Sequence, residues 1–381
     1  MGELWEKFLH QNEAHVNWLL KENFISCEEQ SGDVIPNVEI VLDRLEIACI
    51  DCERKKNALE AQKIRQKPES EAQEIGQMLE QAKEARLELF RSVVEAAKIN
   101  ADWWKSPMDV GLDEKLAGHR TILQKLTAAR QPGQSAPWVF TTNYDLAIEW
   151  ASESIELQII NGFLGVHSRR FSPHSFDLGF RNTQAKGEAR FGVYNIYLAK
   201  LHGSLSWREW KNHIYEMSAS EAWIELNKFC KREESCYATN SLVLPRAAKY
   251  LQTVGYIVGE MFRRFAEFMA RPQTGLIFSG YGFRDEHINR LVRSALLNPT
   301  LQVVIYLPEL TSNCQSQNLP ETVRRLLDLK NPRLTLVGGG ERAYIDALAS
   351  DLPDPTIFDQ DLEEIKRLLE SPKGSCFKDP R

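Results

Sequence analysis

The chain of 381 residues is 43% hydrophobic and 26% charged, enough apolar sequence for one large domain with an appended lobe or for two domains. Its 47 Lys and Arg against 53 Asp and Glu leave a net charge of −6 spread along the whole length, which argues against a uniformly basic, nucleic-acid-binding surface. There is no apolar run of about 18 residues, and MGELWEKFLHQNEAH has no leader pattern, so the expectation is a cytoplasmic protein.

Seven cysteines (Cys27, Cys49, Cys52, Cys230, Cys236, Cys314 and Cys376) form an odd, scattered set that fits a reducing compartment. Cys49 and Cys52 have zinc-like spacing, but no second such pair completes a tetrahedral site. Buried thiols, and no metal, are expected.

Residues 1 to about 135 read as helix. From Ile75, the positions Met78, Leu79, Ala82, Leu89, Phe90, Val93, Val94 and Ala97 approximate the 3.6-residue period, with charges on the opposite face. The charged stretch ERKKNALEAQKIRQKPESEAQE reads as a solvated helix pair broken at Pro68. A turn-rich hinge, Gln131 to Pro137, ends the helical sequence.

Short apolar runs follow at Trp138 to Thr141, Leu157 to Ile160, Ile196 to Leu201, Leu276 to Ser279, Val303 to Leu307 and Leu334 to Val337. Several lack alternation and many are separated by helical sequence, as in a parallel sheet buried on both faces. The predicted fold class is therefore α/β, a doubly wound parallel sheet. Helical stripes Val254 to Met269 and Ile288 to Leu296 are expected to cover it. Residues 165 to 195 are irregular, with Arg169, Arg170, Arg181, Lys186 and Arg190 among Phe171, Phe176, Phe180 and Phe191. A lid over an anionic ligand or an oligomer contact is the first reading of that segment, and a nucleic-acid contact the second.

In doubly wound folds, ligands bind at the carboxyl ends of the strands. Three polar blocks stand there: Thr142-Asn143-Tyr144-Asp145, His202-Gly203-Ser204, and Gly280 to Asp285 after Ser279. The third is a strand, a glycine turn and a helix start, where backbone N–H groups can meet a phosphate. The same residues also suit a plain tight turn with Asp285 as helix N-cap. Taken as residues alone, Asn143 fits an Asx-type turn and His202 a strand-end histidine with its hydrogen bonds satisfied.

Together and in this order, FTTNYD, KLHGSLSW and SGYGFRDEHIN resemble the TQNID, HG and GTS blocks of the sirtuin superfamily. The wording looks specifically like the bacterial sirtuin-like NAD hydrolases of anti-phage systems. RQPGQSAP, FTTNYDLAIEWA, TQAKGEARFG, GEMFRRFAEF, NPTLQVVIYLPEL and VGGGERAY resemble the subunit encoded beside a HerA-type ATPase. The resemblance runs over nearly the whole chain. It implies a helical lobe at 1–135, a sirtuin-like Rossmann domain at 136–372 with insertions at 165–195 and 208–245, and a tail at 373–381.

It further implies that Asn143 and His202 are the catalytic pair acting on NAD. Thr142, Asp145, Gly203, Ser279, Gly280 and Gly282 would line the cofactor, with Tyr306, Glu309 and Gly338 to Gly340 towards its adenosine end. The implied activity is NAD hydrolysis to ADP-ribose and nicotinamide in abortive defence, by a homo-oligomer assembled with the ATPase. Any nucleic acid would be met indirectly, through that ATPase.

Two departures from the family stand out. The opening MGELWEKF is similar to the segment that follows a glycine-rich GAG-x-S loop in relatives, so either that loop lies upstream or it has been lost. Its loss would favour a catalytically weak NAD or ADP-ribose sensor. The paired CxxC module of protein deacylases is absent as well, which disfavours a deacylase. In its place, SWREWKNHIYEM is expected to form a hairpin, followed by a helix, within 209–237.

Overall fold

The computed structural model describes residues 2–31, 38–62, 69–98, 116–128, 130, 134–180, 195–211, 213–233, 253–310 and 319–354. The N-terminal lobe is helical, as its periodicity requires: α1 (Gly2–Gln11), α2 (Glu13–Lys21), α3 (Cys27–Ser31), α4 (Val38–Gln62) and α5 (Glu69–Ala97). The last two pack along each other, Leu42 and Leu45 sharing a core with Leu89 and Phe90 while Cys49 and Cys52 meet Leu79 and Ala82. The predicted stripe on α5 is thus the buried one. Burial pushes the Cys49 thiol up to about 11, the behaviour of a packed thiol. Among the described residues, no group of three His, Cys, Asp or Glu is placed to hold a metal, and no helix is long and apolar enough to cross a membrane.

After α6 (Ala117–Ala128), the chain enters a region of alternating strands and helices. The strands β1 (Trp138–Thr141), β2 (Gln158–Ile160) and β5 (Asn195–Lys200) form a parallel sheet in the order β1-β5-β2, in a register that sets Thr141 beside Lys200. A second parallel sheet has the order β10-β9-β8, from β8 (Gly275–Phe278), β9 (Gln302–Tyr306) and β10 (Leu334–Val337). The six predicted runs are all strands, shifted by a residue at some ends.

One expectation needs correcting. The sequence predicts a single doubly wound sheet, whereas the backbone ladders form two three-stranded sheets. They are joined by side chains. The helix α9 (Thr253–Ala270) lies against both: Phe265 and Phe268 approach Phe140 of β1 with centroid distances of 4.7 and 5.4 Å, and Met261 and Phe265 share a core with Leu276 and Phe278 of β8. On the other face, Lys125 of α6 donates to the carbonyls of Ala349 and Leu352 at the end of α12 (Ile345–Asp351), each at 2.8 Å. A lysine there satisfies helix-end carbonyls and opposes the helix dipole. β8 alternates exposed and buried residues, with Ile277 40% exposed, so this strand is covered on one face rather than two.

A third, antiparallel sheet runs β3 (Phe163–Leu164), β4 (Arg169–Phe171), β7 (His213–Glu216), β6 (Trp207–Trp210). The predicted hairpin is β6–β7, and the helix after it is α8 (Ala219–Cys230), capped by the Ser218 hydroxyl accepting from the Glu221 N–H. The segment expected to be irregular therefore contributes a strand and a 3₁₀ turn at Pro173–Asp177. That turn is pinned to α9, since Arg264 donates to the Asp177 carboxylate at 2.6 Å. Arg169 pairs with Glu216. Arg181, Lys186 and Arg190 lie outside the described residues, as does Cys236.

α5 docks on α8 through the tilted ring pair Phe90–Phe229, at 5.3 Å, and through Lys98, which donates to the Asn227 side chain at 2.8 Å. The core of the lobe continues through Leu226 and Phe229 to Leu205, with Tyr144 packed against it.

Candidate functional site

Within each parallel sheet, all strands point their carboxyl ends to one edge, and the three polar blocks of the sequence stand there. Beyond β1, the chain turns sharply: the Thr141 hydroxyl accepts from the Asn143 N–H at 3.0 Å, leaving the Asn143 side chain exposed. Asp145 is a cap, its carboxylate accepting from the Ala147 N–H at 3.0 Å at the start of α7 (Ala147–Glu153). The segment after β5 is latched to this turn, because the N–H of Leu201 donates to Thr141 at 2.8 Å and that of Leu205 donates to Tyr144 at 2.9 Å. Between them, Gly203 has φ of 102°, in the left-handed region that glycine adopts without cost.

Under the turn sits a buried charge pair. Lys200, the last residue of β5, is 3% exposed; its ammonium lies 2.9 Å from Glu149 of α7 and also donates to the backbone carbonyl of Asp145. Both Glu149 carboxylate oxygens are out of solvent. Burial raises the Glu149 carboxyl above its ordinary range, and the Lys200 charge only partly offsets this. Glu216 is raised likewise by burial, against the pull of Arg169. Lys200 thus ties the end of one strand to the loop beyond its neighbour.

The block after β8 is a rigid turn. Gly280 (φ 68°) and Phe283 (φ 52°) are both left-handed, and the second is an uncommon position for a bulky residue. Two bonds hold it: the Tyr281 hydroxyl donates to the Asn289 side-chain oxygen at 3.0 Å, and the Asn289 amide donates to the Phe283 carbonyl at 2.9 Å. The turn delivers Asp285 to the start of α10 (Glu286–Ala295). Its Oδ1 accepts from the His287 and Ile288 N–H groups at 2.8 and 3.3 Å. Its Oδ2 lies 2.8 Å from Nε2 of His202.

This contact brings the second and third blocks together across 83 positions of sequence. His202 is mostly covered, at 14% side-chain exposure, and its ring lies 6.4 Å from that of Tyr144 in the first block. Asn143, His202 and Asp285 therefore belong to one neighbourhood, reached from three strand ends, with Thr142, Gly203, Ser279, Gly280 and Gly282 in the connecting turns. Burial acts to raise the Asp285 carboxyl, but His202 and the two helix N–H groups outweigh it and hold it below the ordinary range.

The residues assigned to the adenosine end lie at the ends of β9 and β10. Tyr306 stands beside Val337 in the ladder, is 6% exposed, and its hydroxyl donates to Asp351 at 3.0 Å. Its ring packs with Ala343 and Leu348. Gly338 is required by packing, since a Cβ there would overlap the Leu310 carbonyl oxygen. Neither has a printed contact with the His202 neighbourhood.

Sequence reading finds Asp285 as a helix cap but misses its second oxygen. It also misses Lys200 and Glu149. A lysine inside a six-residue strand whose other residues are largely buried is the signal that was available.

No curated protein matches the sequence. All three polar blocks lie within residues 137–324, from the residue before β1 into α11 (Glu321–Asp328), and this stretch matches the family model described as the SIR2-like domain.

Proposed function

We propose that the chain is an NAD glycohydrolase, splitting NAD with water into ADP-ribose, nicotinamide and a proton, and that it works in abortive anti-phage defence as a homo-oligomer assembled with a HerA-type ATPase. The observation that carries the chemistry is the pairing of an exposed amide, Asn143, with a half-covered histidine, His202, at adjacent strand ends inside a SIR2-like domain. The defence role and the ATPase partner rest on the sequence resemblance alone.

The residues present suit such a substrate. Gly280 has open space where a Cβ would stand, so a diphosphate could approach the backbone of the 279–282 turn, with Ser279 and Arg284 beside it. Cleavage of the bond between nicotinamide and ribose builds oxocarbenium character on the sugar. An uncharged amide serves there better than an ammonium, because it holds a ribose hydroxyl or the incoming water without opposing the positive charge. The imidazole of His202 takes the proton as water adds to the anomeric carbon, the electron pair of the broken bond leaving on nicotinamide.

The test is NAD consumption and nicotinamide release by the purified chain, with and without its ATPase neighbour, beside Asn143→Ala and His202→Ala. A general base contributes about 10²- to 10⁴-fold, so each substitution should lower turnover by at least 10²-fold. Binding of NAD or ADP-ribose without turnover under any condition would replace the hydrolase by a sensor or scaffold.

A further inference from the structure

We propose that Asp285 is the positioning residue of His202, fixing the imidazole with its proton on Nε2 so that Nδ1 is the proton-accepting nitrogen. The argument begins with the carboxylate. Asp285 has no freedom to serve several masters in turn: one oxygen caps α10 by accepting from His287 and Ile288, and the other lies 2.8 Å from Nε2. Rotating the carboxylate away from the ring would uncap the helix. Two helix N–H donors and a mostly covered position keep it ionised, and an ionised carboxylate can only accept. Nε2 must therefore be the donor.

In a neutral imidazole the second nitrogen then carries the lone pair. Nδ1 is where a proton from the attacking water or a ribose hydroxyl would arrive, and the resulting imidazolium would face a carboxylate already oriented to stabilise it. The backbone around Asp285 is built to hold this alignment. Tyr281 and Asn289 brace the turn, and Phe283 accepts a left-handed conformation to complete it. Because the same turn carries Gly280 and Gly282, a ligand seated there is mechanically joined to the histidine by one residue, Asp285.

The protonation pattern stands on the geometry, whereas its use in catalysis rests on the glycohydrolase reading; the experiment separates the two. Long-range ¹H–¹⁵N spectra of histidine-labelled full chain, at a pH where His202 is neutral, report which nitrogen bears the proton. Wild type is compared with Asp285→Asn, which keeps a side-chain oxygen for the helix cap but offers the ring an N–H in place of a carboxylate oxygen. The expected result is Nε2–H in wild type and Nδ1–H in the variant. Where turnover exists, kcat should fall between about 10-fold and 10⁴-fold, the span seen when an orienting partner is replaced, with KM held within about threefold.

A wild-type signal for Nδ1–H, an unchanged tautomer in the variant, or undiminished kcat in a folded variant would each overturn the proposal. A tautomer switch in a chain that never hydrolyses NAD, even with the ATPase, would leave Asp285 as the positioning residue and refute the hydrolase.

Discussion

Lys200→Met should destabilise the protein in a way that depends on pH, and the structure sets the size of the effect. The substitution keeps the length of the side chain but leaves Glu149, whose two oxygens are shielded from solvent, without its cation. Stranding one member of a buried pair costs about 3–5 kcal/mol. Glu149 can limit the damage by taking up a proton: at 1.36 kcal/mol per pH unit, the span from its ordinary value of 4.5 to pH 7 amounts to about 3.4 kcal/mol. The lost bond to the Asp145 carbonyl adds about 1 kcal/mol. At pH 5 the protonation cost shrinks to about 0.7 kcal/mol. The sign follows from linkage: a carboxyl raised in the folded state stabilises fully below 4.5, and that contribution is lost as pH rises through the folded value. Removing Lys200 raises the folded value further and widens the window. Urea denaturation of both proteins at pH 5 and 7 measures the difference, and Glu149→Leu added to Lys200→Met should recover most of the loss at pH 7. Equal losses at the two pH values, or less than about 1 kcal/mol at pH 7, would refute the reasoning.

Three further outcomes follow from packing. Phe265→Ala removes the ring shared by β1, β8 and α9, and should cost about 3–5 kcal/mol in denaturant titrations, because two sheets lose their common contact. Gly338→Ala forces a methyl group onto the Leu310 carbonyl and should cost about 1–3 kcal/mol, read as a lower melting temperature, whereas Gly76→Ala on α5, where a Cβ meets nothing within 4 Å, should raise stability by roughly 0.5–1 kcal/mol.

Much of the architecture is legible in the sequence because burial imposes periods on it. The α5 stripe and the six apolar runs are visible for that reason. The split into two sheets is not, because strand pairing is set by backbone partners distant in sequence, and an apolar run such as Leu276 to Phe278 reads the same with one neighbour or two. The site is legible in part. Strand ends can be found from pattern, so Asn143, His202 and the 280–285 turn stand out, yet the bond from His202 to Asp285 joins residues that no local rule relates. Tyr306 shows the converse limit: its place at a strand end was readable, but not the Asp351 acceptor that occupies its hydroxyl.

The helical lobe lies outside residues 137–324, yet its core contains Leu205, Leu226 and Phe229 and touches Tyr144. A boundary drawn at residue 137 is thus a boundary of ancestry and not of folding. A fragment cut there would turn those side chains outward as an apolar face beside both site loops, and would lose the wall against which Tyr144 rests. The lobe is in this sense the back of the site, and the smallest piece of this chain that keeps Asn143 and His202 in register includes it.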